Sequence, residues 1–182
     1  MKNKIQNITF TALMTALLCI AGPIVVPIGM VPMSFANLAI YLTILLLEKQ
    51  WATVSVAVYL LIGMVGIPVF AGLSGGAGKL FGPTGGYLIG YLALTWIAGS
   101  ILEKRKKNIV VSTDKRRQAT ALLAGTLVLY IFGTLWLMYQ SKLSFQAALG
   151  IGVLPFLPFD VVKVIVAVLL GNAIKVRLKY VI

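Results

Sequence analysis

The residues able to do chemistry are few, and two of them stand together in L-P-F-L-P-F-D-V-V-K, residues 154–163. Asp160 and Lys163 place an acceptor and a donor in a segment that stays apolar up to Gly171. Their spacing puts both on one face of a helix, one above the other. A charge in hydrocarbon is costly, and such residues default to a site facing a partner, a cavity or a ligand. An ionised aspartate accepts N–H donors, whereas a lysine donates to a carbonyl or attracts a carboxylate. The competing reading is an internal ion pair that only fixes helix packing, which is an expensive device for packing alone. No nucleophile sits beside a base and no carboxylates cluster for a metal, so no catalytic residue and no metal ligand is expected, and an enzyme has little support.

The other polar positions in apolar surroundings are Asn37, which suits either a helix–helix hydrogen bond or a ligand contact, and Lys79. The chain has no histidine and one cysteine, Cys19, which can form no internal disulfide and reads as a small buried hydrophobe.

The elements that must position these groups follow from composition. Of 182 residues, 60% are hydrophobic and 11% charged, far from the roughly 25% charged of soluble domains. This is the signature of an integral membrane protein. At roughly 20 apolar residues per spanning helix, the chain has room for about six, in one all-α domain covering residues 1–182. Long continuous apolar runs disfavour a barrel, whose strands alternate. Spans are expected at 8–20, 34–47, 51–65, 87–102, 119–139 and 155–174. Lys2 and Lys4 before the first of them resemble a signal peptide, but with further spans behind, a retained signal anchor is expected.

Three connections stand out. Residues 22–33, in the run A-G-P-I-V-V-P-I-G-M-V-P-M, are broken by prolines yet apolar, so they form either a cover folded back over the helices or a kinked extension of the first span. Residues 66–86 hold eight glycines, too many for a helix interior, and glycine allows close approach of backbone to a ligand. Lys79 is followed by Leu80, so the nucleotide-binding form G-x-x-x-x-G-K-[ST] is not met. Residues 103–117 carry K-R-K-K and K-R-R. In the first span, Ala12 and Ala16 make a small-x-x-x-small pair where another helix can approach.

The net charge of +12 does not imply nucleic acid, because its placement follows topology. With six spans and both termini cytoplasmic, thirteen of the sixteen basic residues lie inside, and only Lys79 and Lys142 occupy outer connections, Lys163 being in a span. Asp160 and Lys163 then lie in the outer part of the last span, roughly 8 to 13 Å from its start at ~1.5 Å per residue. The proline-rich and glycine-rich connections are outer as well. An outward pocket with the charge pair as floor and the two connections as roof is the expected site.

The chain resembles the BioY family, the biotin-binding membrane subunits (S components) of energy-coupling factor (ECF) transporters. The resemblance is carried by G-I-P-V-F-A-G-L-S-G-G-A-G-K-L-F-G-P-T-G-G-Y, residues 66–87, and G-V-L-P-F-L-P-F-D-V-V-K, residues 152–163; length and spans agree over essentially the whole chain. It implies an S-component-like bundle in a prokaryotic cell membrane that captures biotin from outside with high affinity. Asp160 and Lys163 match the family's ligand-binding pair; Gly75, Gly76, Lys79, Gly82 and Tyr87 match pocket-lining positions, with Asn37 a further ligand contact. Biotin's ureido ring offers two N–H donors and a carbonyl, which suits Asp160 accepting and Lys163 donating. Lys79 would face the pocket or attract the valerate carboxylate, although relatives carry an uncharged amide there. Ala12 and Ala16 look like the motif that docks these subunits onto a transmembrane coupling protein driven by two ATPases, so ATP would be used by partners only and no covalent cofactor is implied. The alternative within this class is an S component for another heterocyclic vitamin.

Overall fold

A computed structural model describes residues 2–26, 33–103 and 114–178, and six principal helices carry them. They are α1 (Lys2–Ala21), α2 (Ala36–Leu46), α3 (Lys49–Met64), α5 (Gly85–Glu103), α6 (Lys115–Ser141) and α8 (Leu157–Leu178), with short helices α4 (Ala77–Leu80) and α7 (Phe145–Gly152) in the connections. Four are long and apolar enough to cross a membrane: α1 over Lys4–Ala21, α5, α6 and α8 over Leu157–Arg177. The chain is thus a multi-spanning, nearly all-α membrane bundle.

The apolar run of α2 becomes its centre. Ala36 and every residue from Ala39 to Leu45 are buried, and Tyr41, Ile40, Ile44 and Leu45 join Leu18, Tyr59, Phe70, Leu94 and Leu122 in one core. A helix surrounded by protein need not match the bilayer thickness, which is why an 11-residue helix suffices here. The Tyr41 hydroxyl shares a 2.7 Å hydrogen bond with Thr126 on α6, keeping the polar tip paired in an apolar interior.

Lipid tails are as apolar as leucine, so helices in membranes associate through close packing around small residues. α5 and α6 do so along their whole contact. A Cβ at Gly125 would lie 2.9 Å from the Leu94 carbonyl oxygen, and one at Gly133 would lie 2.1 Å from the Tyr87 ring. α1 packs one side only: Thr15 bonds Ser55 of α3 at 3.1 Å, while Ala12 and Ala16 face outward, exposed. Cys19 is half-buried rather than fully buried, packed against the core edge.

One end of the bundle is tied by polar contacts. Lys49 pairs with Glu103 at 3.5 Å, Arg117 donates to the Ile101 carbonyl, and Gln118 and Asn172 exchange amide hydrogen bonds of 3.2 and 2.8 Å. Lys115, Arg116 and Arg117 belong to the first turn of α6, where Asp114 caps Arg116 N–H, and not to the basic connection; K-R-K-K at 104–107 lies outside the described residues.

The other end carries the irregular segments. The expected all-α fold acquires a small hairpin, β1 (Val25–Val26) pairing antiparallel with β2 (Met33–Ser34). Proline breaks α1 here and an extended apolar backbone satisfies its own donors by pairing. The glycine-rich segment turns through a Phe70–Ser74 bridge into α4.

Candidate functional site

Asp160 lies in the first turn of α8, where the positive end of the helix dipole favours an anion. Lys163, one turn on, reaches back to Asp160 Oδ1 at 3.0 Å. Both are almost fully buried, at 4% and 6% exposure. Two further elements converge on the carboxylate: Tyr130 of α6 donates its hydroxyl to Oδ2 at 2.7 Å, and Asn37 of α2 donates Nδ2–H to the same oxygen at 3.2 Å. Lys163 Nζ also donates to the Ser34 carbonyl at 2.9 Å. Ser34 is in turn held to the turn that follows α1 by its hydroxyl, which donates to the Gly22 carbonyl at 2.7 Å.

A carboxylate offers about four acceptor positions, and three are filled by these donors, leaving one for an incoming N–H. Lys163 has three donors, two of them in use. The constellation is therefore half of a recognition site: one acceptor and one donor position, side by side.

These groups line one cavity with an open mouth. Its walls are apolar and aromatic, built from Met33, Phe70, Leu88, Leu129 and Phe156, with Tyr87 and Tyr91. Phe70 is fixed edge-on against Tyr59, ring centroids 5.6 Å apart. Tyr87 is bolted at both ends: its ring fills the space that Gly133 leaves, and its hydroxyl donates to the Gly152 carbonyl at 3.1 Å. Lys79 lines the cavity from α4, and Thr84 from the turn before α5.

A profile of the BioY family matches residues 1–180. The chain belongs to the BioY family. It is 36% identical over 172 residues to the probable biotin transporter BioY of Pyrococcus horikoshii, covering 94% of this chain and 98% of the relative. To biotin transporter BioY2 of Lactococcus lactis it is 32% identical over 172 residues, covering 94% and 91%. Its fold superimposes on the crystal structure of the S-component for biotin from an ECF-type ABC transporter with a TM-score of 0.86, at 31% identity, covering 96% of this chain and 93% of that one.

Of the residues singled out in the sequence of this BioY protein, Asp160, Lys163, Asn37, Lys79 and Tyr87 meet at one cavity. Gly75, Gly76 and Gly82 stand beside it in the loop rather than in its lining. Gly75 packs on backbone, with a Cβ there falling 2.4 Å from the Ile67 carbonyl oxygen, and Gly76 has φ +93°; they shape the loop that carries Lys79. Ala12 and Ala16 lie on the outer face of α1, away from the cavity.

Sequence reasoning missed Tyr130, Tyr91, Phe70 and Phe156. A tyrosine in mid-span was the available signal, since its hydroxyl needs a partner in an apolar interior. The Ser34 carbonyl carried no signal at all, being backbone.

Proposed function

We propose that this protein captures biotin with high affinity as the substrate-binding subunit of an ECF-type transporter. The observation that carries the reading is the buried Asp160–Lys163 pair, whose free acceptor and donor positions lie side by side within an aromatic cavity. The ureido ring of biotin presents N–H beside C=O, and the apolar walls suit the sulfur ring and methylene chain. Asp160 accepts the N–H, Lys163 donates to the carbonyl, and Asn37 and Tyr130 hold the carboxylate in place. The relatives bearing the name biotin transporter support the ligand.

The spans are α1, α2, α3, α5, α6 and α8, with both termini cytoplasmic. Supporting this, Lys49, Arg117 and Asn172 belong to the end of the bundle opposite the cavity, together with the basic residues flanking them. The cavity then opens outward. The exposed Ala12–Ala16 face of α1 is a close-approach surface for the transmembrane coupling protein, through which two ATPases supply energy. This chain hydrolyses nothing itself.

Equilibrium binding of labelled biotin to detergent-purified protein tests the reading. The parent protein is expected to bind well below micromolar, and Asp160→Asn and Lys163→Ala to weaken binding at least about tenfold. Micromolar or weaker binding by the parent, unchanged affinity in both variants, or displacement by a different heterocyclic vitamin at lower concentration overturns it.

A further inference from the structure

Two polar ties fix how α6 and α8 run past each other. Tyr130 bonds Asp160 at 2.7 Å beside the cavity, and twelve residues away on each helix Gln118 and Asn172 exchange amide hydrogen bonds of 3.2 and 2.8 Å. The equal spacing makes the two helices antiparallel and sets their register. One turn beyond the amide tie, Lys115 on α6 comes level with Lys175 on α8, each on the face of its own helix that carries the tie. The register thus opposes two like charges at the end of the seam, where they repel.

The chain's own carboxylates do not balance them. It has four acidic residues against sixteen basic ones. Asp160 is paired with Lys163 and Glu103 with Lys49, while Glu48 stands at the start of α3. That leaves Asp114, whose carboxylate accepts the Arg116 N–H at 3.0 Å, beside five cations: Lys115, Arg116, Arg117, Lys175 and Arg177.

The class of anion follows from depth. The apolar stretch of α6 begins at Lys115 and that of α8 ends at Arg177, so both lysines stand where their helices leave the hydrocarbon, at headgroup level. Further into the bilayer the same helices expose apolar side chains to acyl chains, Leu123 and Leu127 on α6 and Leu169 and Leu170 on α8 among them. Basic sites between transmembrane helices at this level suit anionic headgroups. We infer that the paired ends of α6 and α8 bind an anionic phospholipid, its phosphate held between the Lys115 and Lys175 ammonium groups. The inference owes nothing to the cavity or to its ligand.

Titration of acyl-tagged phosphatidylglycerol and phosphatidylcholine into the full chain, in lipid-free micelles of a neutral detergent, tests it. The parent is expected to prefer phosphatidylglycerol by about tenfold or more, at about one kilocalorie per mole for each lysine near the headgroups. Lys115→Gln, Lys175→Gln should remove that preference, and Lys115→Arg, Lys175→Arg should keep it. The control Lys2→Gln, Lys4→Gln, which takes the same charge from α1, should also keep it. Without lipid, the Lys115→Gln, Lys175→Gln variant should melt no lower than the parent, because it removes a repulsion. Equal binding of the two lipids, or an equal loss in the control, overturns the inference, and displacement of phosphatidylglycerol by inorganic phosphate at equal concentration overturns the lipid as the source. A lower melting temperature in the lysine-to-glutamine variant assigns these lysines to folding and overturns it as well.

Discussion

Tyr130 on α6 and Asp160 on α8 are joined by a 2.7 Å hydrogen bond that aims the carboxylate across the cavity. The same oxygen receives Asn37 at 3.2 Å, so Tyr130 supplies the shorter of its two restraints. In Tyr130→Phe, Asp160 keeps its charge and its ion pair but loses that aim. Biotin affinity is expected to fall about three- to tenfold with a stability loss of about 1.5–3 kcal/mol, the net value of a hydrogen bond to a charged group. Asn37→Ala should act in the same direction. Isothermal titration on both variants checks this, and unchanged affinity in both would show that the carboxylate is held by Lys163 alone.

The Asp160–Lys163 pair is buried, and removal of one partner leaves an uncompensated charge. Breaking such a pair typically costs about 3–5 kcal/mol, whereas replacing both members with apolar groups is often near neutral. Lys163→Met and Asp160→Leu are each expected to lower the melting temperature in detergent, and the double variant to recover most of the loss. Binding should vanish in all three. Additive destabilisation in the double variant would place the pair's role outside mutual compensation.

How much of this was legible beforehand depends on the kind of signal. Asp160 and Lys163 could be read because charges in an apolar segment have few explanations, and the glycine-rich stretch could be read as irregular because glycine opposes helix. Tyr130 gave only a partial signal, since a mid-span tyrosine hydroxyl needs a partner but the residue is as readily interfacial or core. The glycines at 75, 76 and 82 announced a special backbone but not its purpose; the close approach of Gly75 to the Ile67 carbonyl depends on how the loop folds back on itself. The burial of α2 on all sides likewise depends on where its neighbours lie. The hairpin of β1 and β2 was hidden because two short apolar stretches flanked by prolines carry no alternation to reveal pairing.

Gly133 backs Tyr87, one of the residues of the cavity wall. A methyl group there would fall 2.1 Å from the Tyr87 ring, and that ring cannot retreat freely while its hydroxyl bonds Gly152. Gly133→Ala is therefore expected to cost about 1–3 kcal/mol, the usual range for overpacking, and to weaken biotin binding by displacing Tyr87 into the cavity. A thermal melt with and without biotin separates the two effects. The companion Gly133→Ala, Tyr87→Leu should restore stability without restoring affinity; stability that stays low would mean that the clash falls elsewhere.

Ala12 and Ala16 offer the cleanest separation of binding from transport. Both are exposed on α1 while Thr11, Met14, Thr15 and Leu18 on its other side are buried. Leucine at both positions therefore meets no neighbour within the chain and leaves the cavity untouched. In lipid, where helix association depends on backbones approaching closely at small residues, the same change should hold a partner helix away. The Ala12→Leu, Ala16→Leu variant is expected to match the parent in melting temperature and biotin affinity, yet to lose biotin uptake when co-produced with the coupling protein and its ATPases. Co-purification of the complex on an affinity tag reads the docking step directly. Retained uptake would move the docking surface to another face, and lost binding would assign this face of α1 a role in folding.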